Sequence, residues 1–233
     1  GEEAGWERAN WFADPETHPK YEYSYGPQNW HNNQQNEHET TRERVALYDQ
    51  TSFAKFDVTG PDAEYTLERI CANQVGRDIG SVTYTPWLNE RAGIEADVTV
   101  TRIAEDAFRV VTAPTTRRKD WYWLLNHIPP NANCSVLDVS EDWAVLGVMG
   151  PRSRELLASM THTNLDNELF PFGTGKELEI NGITCWAQRI TYVGELGWEL
   201  YCSWDAALEL FCGVFDAGRS VGLGLAGYHA LDS

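Results

Sequence analysis

Residues 84–100 read YTPWLNERAGIEADVTV, a pattern that predicts two strands joined by a tight turn. The turn is polar and ends in Gly93, where a positive φ has little steric cost. In the second strand Val98 and Val100 alternate with Asp97 and with threonines, the period of two expected for a strand with one buried face. We therefore expect Asp97 to project from the middle of a strand, which positions a carboxylate more firmly than a loop does.

Asp97 has two interpretations at this stage. A carboxylate held in mid-strand suits a group that must meet a substrate nitrogen. Most aspartates in alternating strands, however, only face solvent, and the pattern alone leaves both interpretations open.

The composition predicts a folded protein. Of the 233 residues 42% are hydrophobic, and ten Trp, ten Tyr and eight Phe are enough to build a sizeable core. No apolar run reaches the length of a membrane span, and no signal peptide opens the chain, so we expect no membrane association. The ends, Gly1 and Ser233, have the character of cut points, and we expect a fragment of a longer polypeptide.

The charge balance disfavours anionic partners. The net charge is −17, from 35 acidic and 18 basic side chains, whereas binding to phosphate groups needs clustered Lys and Arg. We therefore expect no nucleic acid partner.

The cysteines and histidines give no sign of a disulfide framework or a metal site. Five cysteines occur without C-x-x-C spacing, several of them in apolar surroundings, and the six histidines lack metal-binding spacing. This pattern is typical of reduced, buried cysteines. We expect a cytoplasmic location in a bacterium, or the mitochondrial matrix in a eukaryote, and no metal.

The chain divides into an arm and a domain. Residues 1–36 are rich in aromatic residues, Pro, Asn and Gln and have no clear period, which predicts an extended arm connecting to a missing upstream domain. Residues 37–233 are predicted to form the main domain, cut short at its C-terminal end. Within it, residues 37–48 are expected to form a helix.

A short internal echo indicates duplication. VTGPDAEYTLERI at 58–70 and VMGPRSRELLASM at 148–160 share a strand end, a Gly-Pro pair and a helix with a matching leucine. Another hairpin is predicted around Asn181-Gly182. The expected fold class is α+β, with antiparallel sheets and pseudo-duplicated strand–helix units.

Three stretches carry a resemblance to a known family. They are YTPWLNERAGIEADVTVTRI at 84–103, RITYVGELGWELY at 189–201 and AGYHALDS at 226–233. Together they resemble the folate-binding domain of the aminomethyltransferase superfamily. The opening GWERANWFADPE and the GELGWEL motif are more similar to the flavin-dependent sarcosine and dimethylglycine dehydrogenases than to the glycine-cleavage aminomethyltransferase.

The resemblance implies a tetrahydrofolate site and the residues that form it. Asp97 matches an aspartate at the reactive edge of the folate and is the expected catalytic residue. Glu195 matches a glutamate that hydrogen-bonds the pterin amino group, so the two carboxylates are expected to share one cavity. The lining residues that the resemblance implies are Tyr84, Tyr192, Trp198 and Phe172. The alternatives are surface carboxylates at hairpin ends and ordinary core aromatics.

The resemblance also implies parts that these residues do not contain. The dinucleotide fingerprint G-x-G-x-x-G is absent, so FAD is assigned to an upstream flavin domain of the same chain. That domain would oxidise an N-methylated glycine, and this one would capture the carbon as methylenetetrahydrofolate. Two alternatives are a non-catalytic regulatory subunit, like that of pyruvate dehydrogenase phosphatase, and a stand-alone glycine-cleavage aminomethyltransferase.

Overall fold

The computed structural model describes residues 1–233, which form six α-helices and thirteen strands. The helices are α1 (His31–Glu43), α2 (Ala63–Ile70), α3 (Arg117–His127), α4 (Ser153–Ala158), α5 (Ala207–Gly218) and α6 (Tyr228–Leu231). The strands are β1 (Glu2–Glu3), β2 (Trp6–Glu7), β3 (Val45–Asp49), β4 (Ala54–Thr59), β5 (Val82–Leu88), β6 (Ile94–Ala104), β7 (Ala107–Thr112), β8 (Ser135–Asp138), β9 (Trp143–Met149), β10 (Thr174–Ile180), β11 (Ile183–Arg189), β12 (Gly197–Ser203) and β13 (Leu223–Ala226). None of the helices has the length and apolar character needed to cross a bilayer.

Two large sheets repeat one topology, which confirms the predicted duplication. The first has the strand order β5-β6-β7-β4-β8, and the second has the order β10-β11-β12-β9-β3-β13. In each half a strand leads through a helix to a three-strand meander, then through a second helix to the edge strand. The second sheet differs by β3, which inserts between β9 and the parallel strand β13. The α+β class with antiparallel sheets is likewise confirmed.

The echoed glycines occupy equivalent strained positions. Gly60 directly follows β4 with φ +123°, and Gly150 directly follows β9 with φ +134°. A Cβ at Gly60 would lie 2.3 Å from the carbonyl oxygen of Asn133, and one at Gly150 would lie 2.5 Å from that of Arg44. Only glycine tolerates both the backbone angle and the approach, which explains the repeated Gly-Pro.

The two sheets face each other with their polar sides. The apolar side of the first sheet packs on α2 and α3, where Val98 and Val100 share a core with Leu67 and Leu124. The apolar side of the second sheet packs on α4 and α5 in the same way. The order of layers is therefore helix, sheet, sheet, helix, except at the β3–β13 end of the second sheet, where Ala46, Tyr48 and Met149 form a third apolar cluster with α6. A polar layer lies between the sheets and leaves room for a cavity.

Hydrogen bonds and ion pairs hold this polar layer together. The Gln188 side-chain amide donates across it to Thr101, at 2.9 Å. Arg109 makes a two-pronged ion pair with Asp57, at 2.8 and 2.9 Å. Lys55, whose side chain is fully buried, donates through Nζ to two backbone carbonyls of the β3–β4 turn, each at 2.8 Å. Buried polar groups are tolerated here because each of these donors has a partner.

The predicted hairpins are present, with one change in the turn of the first. Asn181 and Gly182 both have positive φ, as a two-residue hairpin requires. In the β5–β6 turn the positive φ, +59°, belongs to Ala92 and not to Gly93. A Cβ at Gly93 would lie 2.9 Å from the Asn89 side-chain amide, which would have to move to admit it.

The helix predicted at 37–48 is wrong in its second half. Helix α1 spans His31–Glu43, and Val45–Asp49 forms β3, which pairs with β9 and β13. Pairing on both sides and near-complete burial of Val45 and Leu47 outweigh the local helical pattern. The expected boundary at residue 36 falls inside α1. That residues 1–36 connect to an upstream domain stays a prediction.

The arm of residues 1–30 packs against the domain, and one buried carboxylate, Glu37, takes part in this contact. Glu37 accepts the backbone N–H of Phe12 at 2.6 Å and that of Gly227 at 3.0 Å. Burial raises the pKa of Glu37, against the effect of these two hydrogen bonds. One side chain of α1 thus joins the arm to the segment that precedes α6.

Candidate functional site

A cavity of about 640 Å³ lies between the two sheets. The first sheet contributes β5, β6 and β7, and the second contributes β9 and β12, so both halves of the duplication supply walls. The lining residues are Gln50, Phe53, Tyr84, Asp97, Val98, Thr99, Val111, Thr112, Ala113, Val145, Phe172, Ile190, Thr191, Tyr192, Glu199 and Tyr201. This volume fits a small-molecule ligand of ordinary size.

The β5–β6 hairpin places Tyr84 and Asp97 on its cavity side. Tyr84 pairs with Thr99 and Pro86 pairs with Asp97, so Tyr84 and Asp97 are diagonal neighbours. The alternation turns Trp87 and Val98 towards the helices, where both are buried. The same alternation leaves Asp97 exposed and Tyr84 61% exposed.

Asp97 acts electrostatically on both tyrosines near it. Its hydrogen-bonding interaction raises the pKa of Tyr84, and burial and the Asp97 charge add to that rise. Burial raises the pKa of Tyr192, and the charges of Asp232 and Asp97 raise it further. Both phenols therefore remain protonated at neutral pH and keep their hydroxyl donors.

A second carboxylate, Glu199, faces the cavity from β12. Tyr201 donates its hydroxyl to Glu199 Oε2 at 2.8 Å, and the Gln50 amide reaches Glu199 Oε1 at 3.4 Å. Burial raises the pKa of Glu199, while the bonds from Tyr201 and Gln50 and the charge of Lys55 act in the opposite direction. Glu199 is thus a desolvated acceptor oriented by two neighbours.

The polar groups of the cavity are mainly acceptors. Tyr201 directs its proton to Glu199, and Thr112 directs its proton to the buried carboxylate of Asp120 at 2.6 Å. Both hydroxyl oxygens are then left to accept from a ligand. Neither Lys nor Arg lines the cavity. The arrangement favours a ligand that presents several N–H donors to the interior of the cavity and disfavours an anionic group there.

Aromatic rings form the walls. The Phe53 ring lies 6.2 Å from Tyr192 and 6.4 Å from Tyr228, measured between centroids. Phe172 lines the cavity with 67% of its surface exposed. Flat apolar walls around convergent polar groups suit a planar heterocycle.

Four of the six sequence-predicted residues line this cavity: Tyr84, Asp97, Tyr192 and Phe172. Glu195 does not line it and instead pairs with Arg42 at 2.9 Å. Trp198 does not line it either, since the ring is fully buried and lies 6.1 Å from Phe170 in the core beneath α4 and α5. The expectation that Asp97 and Glu195 share one cavity is therefore wrong.

Strand periodicity explains the correction. Glu195 precedes β12, whereas Glu199 lies within it, on the side opposite Trp198 and Leu200. The sequence contains this signal, because GWELYC alternates apolar positions with Glu199 and Tyr201. Gln50 and Thr112, also missed, occur in segments with no distinguishing pattern.

The GCVT N-terminal domain profile matches residues 1–233. The chain belongs to this family. It is an aminomethyltransferase-type domain of the folate-binding class, and the family expected from the sequence motifs is confirmed.

The relatives of this chain are much longer proteins. The chain is 42% identical over 233 residues to the 4-methylaminobutanoate oxidase (formaldehyde-forming) of Paenarthrobacter nicotinovorans, covering 100% of this chain and 28% of that protein. It is 30% identical to the mitochondrial dimethylglycine dehydrogenase of Rattus norvegicus, covering 100% of this chain and 27% of that protein. The chain therefore spans less than a third of these relatives.

A solved structure supports the fold assignment. The glycine cleavage system aminomethyltransferase T from Bartonella henselae matches with a TM-score of 0.77 and 27% identity. The match covers 100% of this chain and 56% of that one. The expected aminomethyltransferase-type fold is confirmed.

Proposed function

We propose that the cavity between the sheets binds tetrahydrofolate, with the pterin ring between the aromatic walls and its N–H edge at Glu199. The observation that carries this proposal is the position of Glu199, a half-buried carboxylate that lines the acceptor-rich cavity. A pterin presents adjacent amino and ring N–H groups, which a carboxylate accepts as a pair of charge-assisted hydrogen bonds. We therefore assign to Glu199 the hydrogen bond to the pterin amino group that was expected of Glu195.

Asp97 is the proposed catalytic residue. When the two folate nitrogens take up the iminium carbon, both lose their protons and the bond from that carbon to the amine nitrogen breaks. One proton leaves with the amine and the other goes to an acceptor, so a carboxylate near those nitrogens accelerates the step. Asp97 lines the cavity, is exposed, and interacts with the Tyr84 hydroxyl. Tyr84, Tyr192 and Phe172 would enclose the rest of the folate.

The whole protein is proposed to be an FAD-dependent dehydrogenase of a methylated amine, with the flavin in an upstream domain. The flavin would oxidise an N-methyl group to an iminium, and this domain would convert the carbon to methylenetetrahydrofolate. The names of the oxidase and dehydrogenase relatives support this assignment, as does the small share of their length that the chain spans.

A second candidate is release of the carbon as formaldehyde. The relative at 42% identity is named a formaldehyde-forming oxidase, which favours this outcome. The two candidates differ in the product and not in the oxidation step.

Product partition in the full-length protein tests the proposal. The protein is turned over with dimethylglycine or 4-methylaminobutanoate, with and without tetrahydrofolate, and both formaldehyde and methylenetetrahydrofolate are measured. We expect folate to replace most of the formaldehyde with methylenetetrahydrofolate at an unchanged rate of amine oxidation. Formaldehyde yields that do not respond to saturating tetrahydrofolate would reject capture.

A further inference from the structure

The turn between β3 and β4 supplies two residues of the cavity wall, Gln50 and Phe53. Lys55 fixes the backbone of this turn through its hydrogen bonds to the carbonyl oxygens of Thr51 and Phe53. These bonds do not set the direction of the Phe53 ring, because the side chain can rotate among its rotamers while the carbonyl stays in place. The position of the ring in the wall therefore depends on the side chains that contact it.

Tyr228 of α6 is one of the side chains that hold the Phe53 ring. The two rings lie 24° from parallel with their centroids 6.4 Å apart, which is within the range of offset-stacked aromatic pairs. The Tyr228 hydroxyl also forms a 2.8 Å hydrogen bond with the hydroxyl of Ser52 in the same turn. Tyr228 is buried and does not line the cavity. It thus contacts the turn through both its ring and its hydroxyl, outside the ligand space.

Arg8 of the arm lies over the ring of Tyr228. The central carbon of the guanidinium is 3.6 Å from the ring centroid. The Arg8 side chain is only 15% exposed, its ion pair with Glu3 is 3.2 Å long, and its Nε has no hydrogen-bond partner. A guanidinium that is so far removed from water and makes so few hydrogen bonds needs the aromatic face beneath it for stabilisation.

Backbone hydrogen bonds hold the arm against α6 at this point. The Tyr228 N–H donates to the carbonyl oxygen of Ala9 at 3.1 Å, and the His229 N–H donates to that of Asn10 at 2.9 Å. The first bond joins the tyrosine itself to the residue next to Arg8. The arm and α6 therefore keep Arg8 and Tyr228 in register.

We infer that Arg8 and Tyr228 are positioning residues of the cavity, with Arg8 holding Tyr228 and Tyr228 holding Phe53. No residue of the arm lines the cavity, so an effect of Arg8 on ligand binding would pass through Tyr228. The inference rests on the proposed function, because the ligand whose affinity responds is tetrahydrofolate. Its consequence is that the arm takes part in shaping the folate site.

Two measurements on the full-length protein test the inference. One is fluorine NMR of para-fluorophenylalanine incorporated in place of Phe53 alone, without folate, and the other is calorimetric titration with tetrahydrofolate. In Arg8→Met we expect the fluorine resonance to shift and the dissociation constant for tetrahydrofolate to rise about 3- to 10-fold. The matched control is Arg69→Met, which removes an arginine 5.7 Å from the ring of Tyr65 on α2 and should change neither quantity.

A double variant separates this path from a general loss of stability. If Arg8 acts through Tyr228, then Tyr228→Leu should also weaken folate binding, and adding Arg8→Met to it should weaken binding no further. Additive losses would overturn the inference, and so would a fluorine resonance that is the same in wild type and Arg8→Met. The resonance decides alone if Tyr228→Leu does not fold.

The two measurements also distinguish the two failures. A shifted resonance in Arg8→Met with wild-type affinity for tetrahydrofolate rejects the inference alone. A shifted resonance in Arg8→Met, when the wild type does not bind tetrahydrofolate, rejects the proposed function and leaves the positioning of Phe53 by Arg8 and Tyr228 standing.

Discussion

The two cavity carboxylates are held by different means. Asp97 depends on strand alternation, which leaves the side chain exposed on the cavity side of β6. Glu199 is half-buried and is held by the hydroxyl of Tyr201, 2.8 Å away. An exposed carboxylate adds little to folding stability, whereas a half-buried and hydrogen-bonded one is coupled to its surroundings.

Replacing Asp97 should separate catalysis from stability. Asp97→Asn removes the proton acceptor and is expected to lower the rate of methylene transfer to tetrahydrofolate by about 10²-fold or more. The melting temperature should stay within a degree or two, because Asp97 is exposed and makes no ion pair. Glu90→Gln, in the exposed turn of the same hairpin, is the control. Full transfer activity in Asp97→Asn would remove this residue from the mechanism.

Lys55 should make stability depend on pH. Burial, with the charges of Arg109 and Arg117, lowers the pKa of Lys55 from 10.5 to about 7. Between pH 7 and 10.5 the unfolded chain then binds more protons than the folded one, so stability rises with pH. Relative to Lys55→Met, the wild-type free energy of unfolding should increase by about 1 kcal/mol per pH unit from pH 7.5 to 9.5.

Denaturant unfolding of both proteins at several pH values measures this slope. The exposed Lys20→Met is the control and should show no slope against wild type. A parallel pH dependence of wild type and Lys55→Met would mean that Lys55 stays charged in the folded protein.

At the scale of elements, the Gly-Pro corners at the ends of β4 and β9 fix how each strand meets its helix. Both glycines have positive φ, and both lie against a backbone carbonyl. Gly182 also has a positive φ, +85°, which lies closer to the left-handed region that other residues adopt, and nothing lies within 4 Å of a Cβ there. The comparison therefore sets one position with milder backbone strain and no contact against two positions with greater strain and a steric contact.

Alanine at these glycines should destabilise the protein to different extents. Gly182→Ala is expected to cost about 1 kcal/mol, which is the backbone strain alone. Gly60→Ala and Gly150→Ala should cost about 3 kcal/mol or more, because a carbonyl must also move. Urea unfolding measures the three differences. An equal loss in the free energy of unfolding for Gly150→Ala and Gly182→Ala would show that the backbone around Gly150 moves to admit a Cβ without cost.

Elements with one dominant local signal were predictable from sequence. The two hairpins were predictable because their signals, the Asn181-Gly182 pair and the alternation around Asp97, each lie within a few residues of sequence. Strand β3 was not, because its identity depends on pairing with β9 and β13, which no local window contains. Glu199 was predictable in principle, by the same alternation that identified Asp97, but the motif match drew attention to the glutamate of the turn.

At the scale of the whole molecule, the duplicated halves meet through a polar layer. Each half buries its apolar side against its own helices, so the space between the sheets is available for a ligand. The duplication was visible as a short echo, but the facing of polar sides is a tertiary property that the sequence pattern did not reveal. The cavity follows from that arrangement.

The contact of the arm with the domain should depend on Glu37. Glu37→Ala leaves the N–H groups of Phe12 and Gly227 without their acceptor, at an expected cost of about 2 kcal/mol. The arm should also become more sensitive to limited proteolysis. Glu39→Ala, an exposed residue on the same helix, is the control. Unchanged proteolysis in Glu37→Ala would show that the remaining contacts, among them the bonds from the Tyr228 and His229 backbone N–H groups to the Ala9 and Asn10 carbonyl oxygens, hold the arm without Glu37.

Calorimetric titration with tetrahydrofolate tests the central claim most directly, with Glu199→Gln and Glu195→Gln as a matched pair. The pair removes one carboxylate charge inside the cavity or one outside it, four positions apart in the chain. The account predicts binding to wild type and to Glu195→Gln with similar affinity, and binding at least tenfold weaker in Glu199→Gln. Loss of affinity in Glu195→Gln with wild-type affinity in Glu199→Gln would contradict it.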